Sequence, residues 1–367
     1  MEAAKFRIPN MFEAYRPFSK EAEIQQRFAL RRAHLQSVCS RSEYQVPDKG
    51  IIDSDFQFSW VAFRRLRWCR IAKVGTTYMK SKFFPQSELK LLNTNTPVQR
   101  TASKNFKSFF FVRDPYSRLI SGYLDKVLTA PDRWLDIGRK VIKTQRQGAT
   151  SEEIECGSDA SFLEFVQYVL WAERTGKTRN IHFLPMHDLC AVCDRHYDFI
   201  GHIETMKEDL SFILNSAGVR SNLNQNITLD IYRRIKHIFQ ESRKTMKSCL
   251  GVWPMMKRVW WTFQVRGYIA DTIPLPASRQ EVEIASWEKL ASWIERARLQ
   301  TLSLGSRSAQ KRTFMVNMFK QVPLNIRLQF AATYTRDFQL FQYDPLPADL
   351  FPEYSNSTGR SNNHFET

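Results

Sequence analysis

Two short segments of the chain carry residue types that are suited to holding an anion. The first segment, residues 72–77, contains Lys73, Gly75 and a pair of threonines, Thr76 and Thr77. Lysine supplies a positive charge, the threonines supply hydroxyl donors, and glycine lets the backbone approach a phosphate closely because it has no Cβ atom. This composition predicts a loop that binds a phosphate-like group.

The second segment, residues 113–121, begins with an arginine and ends with a serine. The planar guanidinium of Arg113 can grip a phosphate through two parallel hydrogen bonds. If Ser117 caps the helix that follows, Ser121 lies one turn inside that helix, beside Ser117. Arg118 either adds charge to the loop or pairs with an acidic side chain. We interpret this segment as a second anion site.

Each segment is predicted to lie between a strand and a helix. An apolar stretch at residues 66–71 precedes the first segment, and the buried-strand pattern of residues 109–112 precedes the second. Helical patterns follow at residues 78–84 and 119–127. Such a strand–loop–helix unit points backbone N–H groups and the positive end of the helix dipole at an anion. Two units in sequence predict a ligand with phosphate-type groups at both ends.

A third block and a closing run extend the pattern. The block reads His182-Phe183-Leu184-Pro185, then Leu189-Cys190-Ala191-Val192-Cys193, then Tyr197-Asp198-Phe199-Ile200-Gly201 with Glu204-Thr205. The closing run contains Tyr334, Asp337, Phe338, Phe341 and Tyr343. With the two anion segments, these residues resemble the Golgi carbohydrate sulfotransferase family, the group that contains the chondroitin 4-O- and HNK-1 sulfotransferases. The resemblance covers residues 66–213 and 325–345.

The resemblance implies a fold, a co-substrate and a set of binding residues. It implies an α/β fold with a P-loop-kinase-like parallel sheet flanked by helices, and the strand–helix alternation of residues 66–213 also favours a mostly parallel sheet. Family members transfer the sulfuryl group of 3′-phosphoadenosine 5′-phosphosulfate (PAPS) to a glycan hydroxyl, so we expect PAPS as co-substrate and a glycosaminoglycan-like acceptor, without a metal. The residues expected to bind PAPS are Lys73, Val74, Gly75, Thr76, Thr77, Lys80, Arg113 and Ser121.

Sulfuryl transfer needs charge neutralisation and a general base. By analogy with phosphoryl transfer, the protein mainly positions the reactants and stabilises charge. We expect Lys73 to neutralise the leaving phosphate and His182 to accept the proton of the acceptor hydroxyl. Glu204 is the alternative base. Structural or surface roles are expected for His187, His196 and His202.

Two residues depart from the family pattern. Ala72 replaces the proline that usually precedes the lysine, and Asp114 replaces the more common histidine after the arginine. The loss of proline removes a constraint on φ but no ligand. Asp114 places a negative charge beside a phosphate site and weakens binding unless it pairs with lysine or arginine.

The charge of the chain favours a polyanionic partner. The 367 residues carry a net charge of +17, which suits nucleic acid, an anionic membrane or an acidic glycan. Zinc-finger, basic-zipper and RRM signatures are absent from the sequence, so we expect no nucleic acid partner. An acidic glycan fits the motifs better.

The sequence gives mixed signals about the compartment. It shows no apolar run of transmembrane length and no signal-peptide pattern. The family consists of type II Golgi membrane proteins, so either an N-terminal anchor is missing from this chain or the protein is cytosolic. Glycosylation acceptors at Asn226 and Asn356 favour a Golgi glycoprotein whose only membrane contact is that anchor.

The sequence does not decide whether the six cysteines are disulfides, free thiols or metal ligands. In a lumenal protein they can pair as disulfides, whereas in the cytosol they remain buried thiols. Cys190 and Cys193, with His187 and His196 nearby, also allow a zinc interpretation. A second cysteine or histidine pair at ligand spacing is absent from the sequence.

We divide the chain into a stem-like region at 1–60, a sulfotransferase domain at 61–350 and a polar tail at 351–367. Within the domain, residues 220–320 form a divergent helical insertion. Two other functions fit parts of the pattern: a catalytically inactive glycan-binding homologue and a nucleotide-dependent phosphotransferase. The phosphotransferase is disfavoured because the sequence lacks a G-x-x-x-x-G-K-[ST] loop.

Overall fold

The structure is a computed structural model that describes residues 19–41, 60–63, 65–82, 90–92, 106–129, 131–219, 235–236 and 249–355. The predicted glycosylation acceptors at Asn226 and Asn356 lie outside these residues. The strands are β1 Trp60–Phe63, β2 Leu66–Cys69, β3 Lys90–Leu92, β4 Lys107–Val112 and β5 Phe199–His202.

Helices account for most of the remaining described chain. They are α1 Lys20–Cys39, α2 Thr76–Lys82, α3 Pro115–Tyr123, α4 Pro131–Gln145, α5 Ser151–Cys156, α6 Phe162–Thr175, α7 Met186–Cys190, α8 Met206–Ser216, α9 Val252–Val265, α10 Arg279–Ile284, α11 Trp287–Leu302, α12 Ser308–Lys320, α13 Leu324–Thr333, α14 Thr335–Leu340 and α15 Pro352–Ser355. A π-helical segment, Leu124–Leu128, continues α3, and a 3₁₀ turn, Ile203–Thr205, precedes α8. None of these helices is both long and apolar enough to cross a bilayer.

The five strands form one sheet in the order β3-β1-β2-β4-β5. β2, β4 and β5 run parallel, with Trp68 opposite Phe109 and Phe110 opposite Ile200. β1 pairs antiparallel with β2, and β3 pairs antiparallel with β1. The near-continuous apolar run of β4 is typical of a strand that is buried on both faces. The predicted α/β fold with a parallel sheet flanked by helices is confirmed. Because β2, β4 and β5 are parallel, the loops after all three meet at one edge of the sheet.

Helix α1 packs against the sheet domain through an apolar face and two arginines. Phe28 is 1% exposed, and its ring lies 5.0 Å from the ring of Phe199. Arg27 and Arg31 bind the fully buried Asp209 at 3.0 and 2.6 Å. This helix, which lies within the region predicted to be stem-like, is therefore part of the core. The predicted domain boundaries themselves stay predictions.

Two further cores are helical. One surrounds Tyr116 of α3, whose ring contacts Phe319, Phe330 and Phe338 at 5.2, 5.1 and 5.3 Å. The other lies among α9, α10 and α11 and belongs to the stretch predicted as a helical insertion. The packing of α12 on α3 brings this helical part of the chain to the sheet edge at which the predicted loops lie.

All six cysteines form disulfides, which join Cys39 to Cys193, Cys69 to Cys190 and Cys156 to Cys249. The zinc interpretation of Cys190 and Cys193 is therefore wrong, because both sulfurs are used in covalent bonds. In the described part of the chain, no group of three or more His, Cys, Asp or Glu side chains is arranged to hold a metal.

Candidate active site

The first predicted loop lies between β2 and α2, as the sequence indicates. Lys73 and Gly75 both adopt the left-handed backbone region, with φ of +70° and +80°. The hydroxyl of Thr76 donates a hydrogen bond to the Ile71 carbonyl at 2.5 Å, which closes the loop at its base. A left-handed lysine is uncommon and costs about 1–2 kcal/mol, so a constraint other than local preference holds the loop in this shape.

Gly75 has a packing role in addition to its backbone conformation. A Cβ atom at this position would lie 2.9 Å from Cδ1 of Ile203 and 3.0 Å from Sδ of Met206. Both residues follow β5, so the missing side chain lets the first loop pack closely against the start of α8. A larger residue would push the loop away from the sheet edge.

The other residues of this segment occupy distinct environments. Val74 is fully buried, Thr77 is exposed, and Lys80 lies half-buried in the second turn of α2. Burial and the neighbouring Arg70 lower the pKa of Lys80. The side chains of Thr77 and Lys80 are therefore accessible to solvent, whereas the side chain of Val74 is not.

Lys73 forms an ion pair with Asp125, and their side chains are only 12% and 10% exposed. Asp125 belongs to the π-helical segment and was not identified from the sequence. A signal for it exists, because Asp125 lies four residues after Ser121 and continues the helical register of the second segment. The pair fixes the lysine ammonium near the sheet edge.

Arg113 follows β4 directly and connects the two predicted loops. Its Nη1 atom donates a long hydrogen bond, 3.4 Å, to the Lys73 carbonyl. Burial lowers the pKa of Arg113, and the carboxylates of Asp114 and Glu204 oppose that shift. Among the described residues, no carboxylate lies within ion-pair distance of Arg113, so most of its donors remain available.

The start of α3 differs from the sequence prediction. Asp114, not Ser117, caps the helix: its carboxylate accepts a hydrogen bond from the Ser117 backbone N–H at 2.8 Å. The Ser117 hydroxyl instead contacts Sδ of Met315 at 3.3 Å. Asp114 thus has a structural role, because its charge is engaged at the positive end of the helix. Ser121 is half-buried in the second turn of α3.

Arg118 ties the loops together instead of binding an acid. It is 2% exposed, and its guanidinium donates to the carbonyls of Ala72, Leu184 and Ile181 at 3.0, 2.6 and 3.3 Å. Among the described residues, no acid lies at ion-pair distance from Arg118, so the expected acidic partner is not observed, and the expectation of extra loop charge stays a prediction. It joins the first loop to the segment that carries His182.

His182 is half-buried and has a defined tautomer. Oδ1 of Asn180 accepts from the His182 backbone N–H at 3.0 Å and lies 2.6 Å from Nδ1 of the ring. Because an amide oxygen only accepts, Nδ1 carries the proton and Nε2 keeps a lone pair. Burial, followed by the positive charges of Lys126 and Lys73, lowers the pKa of His182 to about 3. His182 is therefore neutral at pH 7 and lies near Lys73.

Residues of the closing run, which lies between positions 334 and 343, anchor the segment that carries His182. The carboxylate of Asp337, which is fully buried, accepts from the backbone N–H groups of Met186 and His187 at 2.6 and 3.0 Å and from Nδ1 of His187 at 2.7 Å. The hydroxyl of Tyr334 donates to the Phe183 carbonyl. Burial opposes protonation of His187, but Asp188 and Asp337 outweigh it and raise its pKa to about 9.

Glu204, the alternative base, is exposed after β5. It accepts a hydrogen bond from the Tyr343 hydroxyl at 2.9 Å. Its neighbours therefore include Arg113 and Tyr343, whereas those of His182 include Lys73 and Asp125. The structure brings Lys73, Arg113 and His182 to one edge of the sheet, where they could hold an anion and accept a proton.

Comparison with known proteins gives a consistent result. The model of the sulfotransferase family matches residues 61–250, which is more than half of the chain. No solved structure matches the chain significantly.

Several curated proteins are similar over part of their length. Carbohydrate sulfotransferase 11 of Rattus norvegicus is 35% identical over 141 residues, covering 37% of this chain and 40% of that protein. Carbohydrate sulfotransferase 14 is 30% identical over 157 residues in Danio rerio, covering 41% of this chain and 42% of that protein. The Homo sapiens form is 27% identical over 216 residues, covering 53% of this chain and 56% of that protein. The chain thus matches about half the length of these relatives.

Proposed function

Because this chain belongs to the sulfotransferase family, we propose that it moves the sulfuryl group of PAPS to a hydroxyl of a glycan. One observation supports the proposal more strongly than the others. The Lys73 loop after β2 and Arg113 after β4 are in direct contact, through the hydrogen bond from Arg113 to the Lys73 carbonyl. Two cationic groups on adjoining loops suit a nucleotide with phosphates at both its 5′ and 3′ positions.

Lys73 and its loop would hold the 5′-phosphosulfate. In the reaction, the bond between sulfur and the bridging oxygen breaks while a bond forms from sulfur to the acceptor oxygen. The leaving phosphate gains negative charge, which the Lys73 ammonium neutralises. Asp125 keeps that ammonium in place before the donor arrives, and Arg113 with Ser121 would hold the 3′-phosphate.

His182 would accept the proton of the acceptor hydroxyl at Nε2, because Nδ1 is occupied by Asn180. Burial is the main cause of the low pKa of this histidine, and the positive charges of Lys126 and Lys73 lower it further. An anionic donor at Lys73 would offset those charges and raise the pKa of His182 towards the range in which a general base is effective. Binding of the donor would thus prepare the base.

A glycan acceptor is supported by the printed names of the relatives, which are carbohydrate sulfotransferases. The net charge of +17 favours an acidic chain such as a glycosaminoglycan over a neutral one. We propose the Golgi lumen as the compartment. The three disulfides support it, because such bonds persist in oxidising compartments and are rare in the cytosol.

Binding of the reaction product tests the nucleotide site. Adenosine 3′,5′-bisphosphate at about 100 times its Kd should add roughly 2.7 kcal/mol to the free energy of unfolding. A thermal-shift titration against adenosine 5′-monophosphate measures the effect and the contribution of the 3′-phosphate. A flat titration up to millimolar bisphosphate with folded protein would exclude PAPS as co-substrate.

Transfer itself is tested with radiolabelled PAPS and a panel of desulfated glycans. We expect label in an acidic glycan and none in the absence of enzyme. Product bound without any transfer across the panel would instead favour the inactive, glycan-binding alternative.

A further inference from the structure

Helix α12 lies against the beginning of α3, beside Arg113. Along one face of α12, residues at intervals of four approach α3: the Phe319 ring lies 5.2 Å from Tyr116, and Sδ of Met315 lies 3.3 Å from the Ser117 hydroxyl. Lys311 is one turn before Met315 on the same face. It belongs to a part of the chain beyond residues 61–250, the region that the family model matches.

The backbone around Lys311 is fixed by its neighbour Gln310. Nε2 of Gln310 donates to the carbonyls of Gln264 and Ile269 at 2.7 and 2.9 Å, and its Oε1 accepts from the Asp271 backbone N–H at 3.1 Å. These bonds fasten the start of α12 to the loop that follows α9. The position of Lys311 relative to this loop is therefore well defined.

Gly267 leaves the space through which the Lys311 side chain passes. A Cβ atom on Gly267 would lie 2.6 Å from Cε and 3.4 Å from Cγ of Lys311. Gly267 has φ of +71°, which also favours glycine there. The aliphatic part of Lys311 is thus packed against the loop at Gly267.

Arg113 directly precedes α3, and Lys311 lies on α12, the helix that packs against the start of α3. Partial burial and the charge of Arg113 lower the pKa of Lys311, which is still partly exposed to solvent. Among the described residues, Lys311 makes no ion pair with an acid, and Arg113 has no carboxylate at ion-pair distance. Like charges held together without a bridging acid are unfavourable, and an anion between them removes the repulsion.

We propose that Lys311 is a further ligand of the anion that binds Arg113, so that the helical part of the chain completes the site. The inference rests on the proposed function, under which this anion is the 3′-phosphate of the nucleotide. Arg113 grips the phosphate from the sheet edge, and Lys311 covers it from α12 as a point charge. Nucleotide specificity would then depend on residues from both parts of the fold.

The test compares two nucleotides by calorimetry in matched variants. Lys311→Met removes the charge and keeps an unbranched side chain beside Gly267. Lys320→Met is the control, because Lys320 is exposed on the same helix but nine residues later, on the opposite side. Lys311→Arg keeps the charge.

Lys311→Met should weaken adenosine 3′,5′-bisphosphate binding about tenfold and leave adenosine 5′-monophosphate binding unchanged. Lys320→Met should change either affinity by less than about twofold, and Lys311→Arg should recover much of the loss. If the wild type binds the bisphosphate and Lys311→Met binds it equally well, or loses both nucleotides equally, the inference fails alone. If the wild type binds no bisphosphate, the proposed function fails with it.

Discussion

Replacing Lys73 with alanine tests catalysis, and the ion pair with Asp125 determines how the experiment must be designed. The two side chains are 12% and 10% exposed, so Lys73→Ala removes an ammonium that lies beside a largely buried carboxylate. Breaking a buried ion pair in this way costs about 3–5 kcal/mol. Lys73→Ala should therefore lose stability of about this size, in addition to any effect on turnover.

The catalytic effect is a separate quantity. Removing one preorganised charge that stabilises the leaving phosphate should lower kcat by about 10²–10³. The KM for PAPS should rise less than kcat falls, because the charge on the leaving oxygen is greatest in the transition state. Steady-state kinetics measures both changes, and denaturant unfolding measures the loss of stability in the same variant.

The double variant Lys73→Ala/Asp125→Ala separates the two effects. It removes the Asp125 carboxylate as well, so it should recover part of the stability that Lys73→Ala loses. It should not recover turnover, because the ammonium is still absent. Recovery of turnover together with stability would refute the catalytic role, and so would near-normal kcat in folded Lys73→Ala.

Three further changes have defined outcomes. Arg113→Ala should weaken adenosine 3′,5′-bisphosphate binding by about 1.5–3 kcal/mol, with little effect on binding of adenosine 5′-phosphosulfate. Calorimetry measures both affinities, and equal losses for the two ligands would mean that Arg113 does not hold the 3′-phosphate. His182→Ala should lower kcat about 10²–10⁴-fold with unchanged bisphosphate affinity, and a variant with normal kcat would exclude His182 as the base. The pKa of His187 is raised from 6.5 to about 9 in the folded state, so its charge stabilises the fold below pH 6.5, and this contribution is lost as the pH rises through 9. The urea midpoint of His187→Gln should therefore fall less than that of the wild type between pH 6.5 and 9, and parallel curves would contradict that origin.

Local sequence signals were sufficient to predict the strands and loops that carry the candidate site residues. The apolar run before Arg113 predicted β4, and the loop around Lys73 lies between β2 and α2 as expected. The prediction that Ser117 caps α3 was wrong, although the signal for the correct cap is local. Pro115 occupies the first helical position, which makes the preceding Asp114 the cap. The roles assigned to the site residues stay predictions until they are tested.

Contacts between distant parts of the chain could not be predicted from local sequence patterns. Asp125 pairs with Lys73 across 52 residues, and Asp337 reaches His187 across 150. The helical register points to Asp125 and the closing run contains Asp337, but only the fold shows which residues these carboxylates contact. Lys311 is a similar case, because nothing in its neighbourhood distinguishes it from a solvated surface lysine.

The anchoring of the His182 segment by the closing run also constrains when the candidate site can be completed during biosynthesis. Asp337 follows Met186, whose N–H it accepts, by 151 residues. At a translation rate of about 5–20 residues per second, roughly 8–30 s separate the appearance of these two residues. The disulfide between Cys69 and Cys190 has both its cysteines long before Asp337 is made. Covalent pairing can therefore precede docking of the His182 segment. A nascent chain without its last helices contains both predicted loops and Arg118 but lacks the anchors from Tyr334 and Asp337.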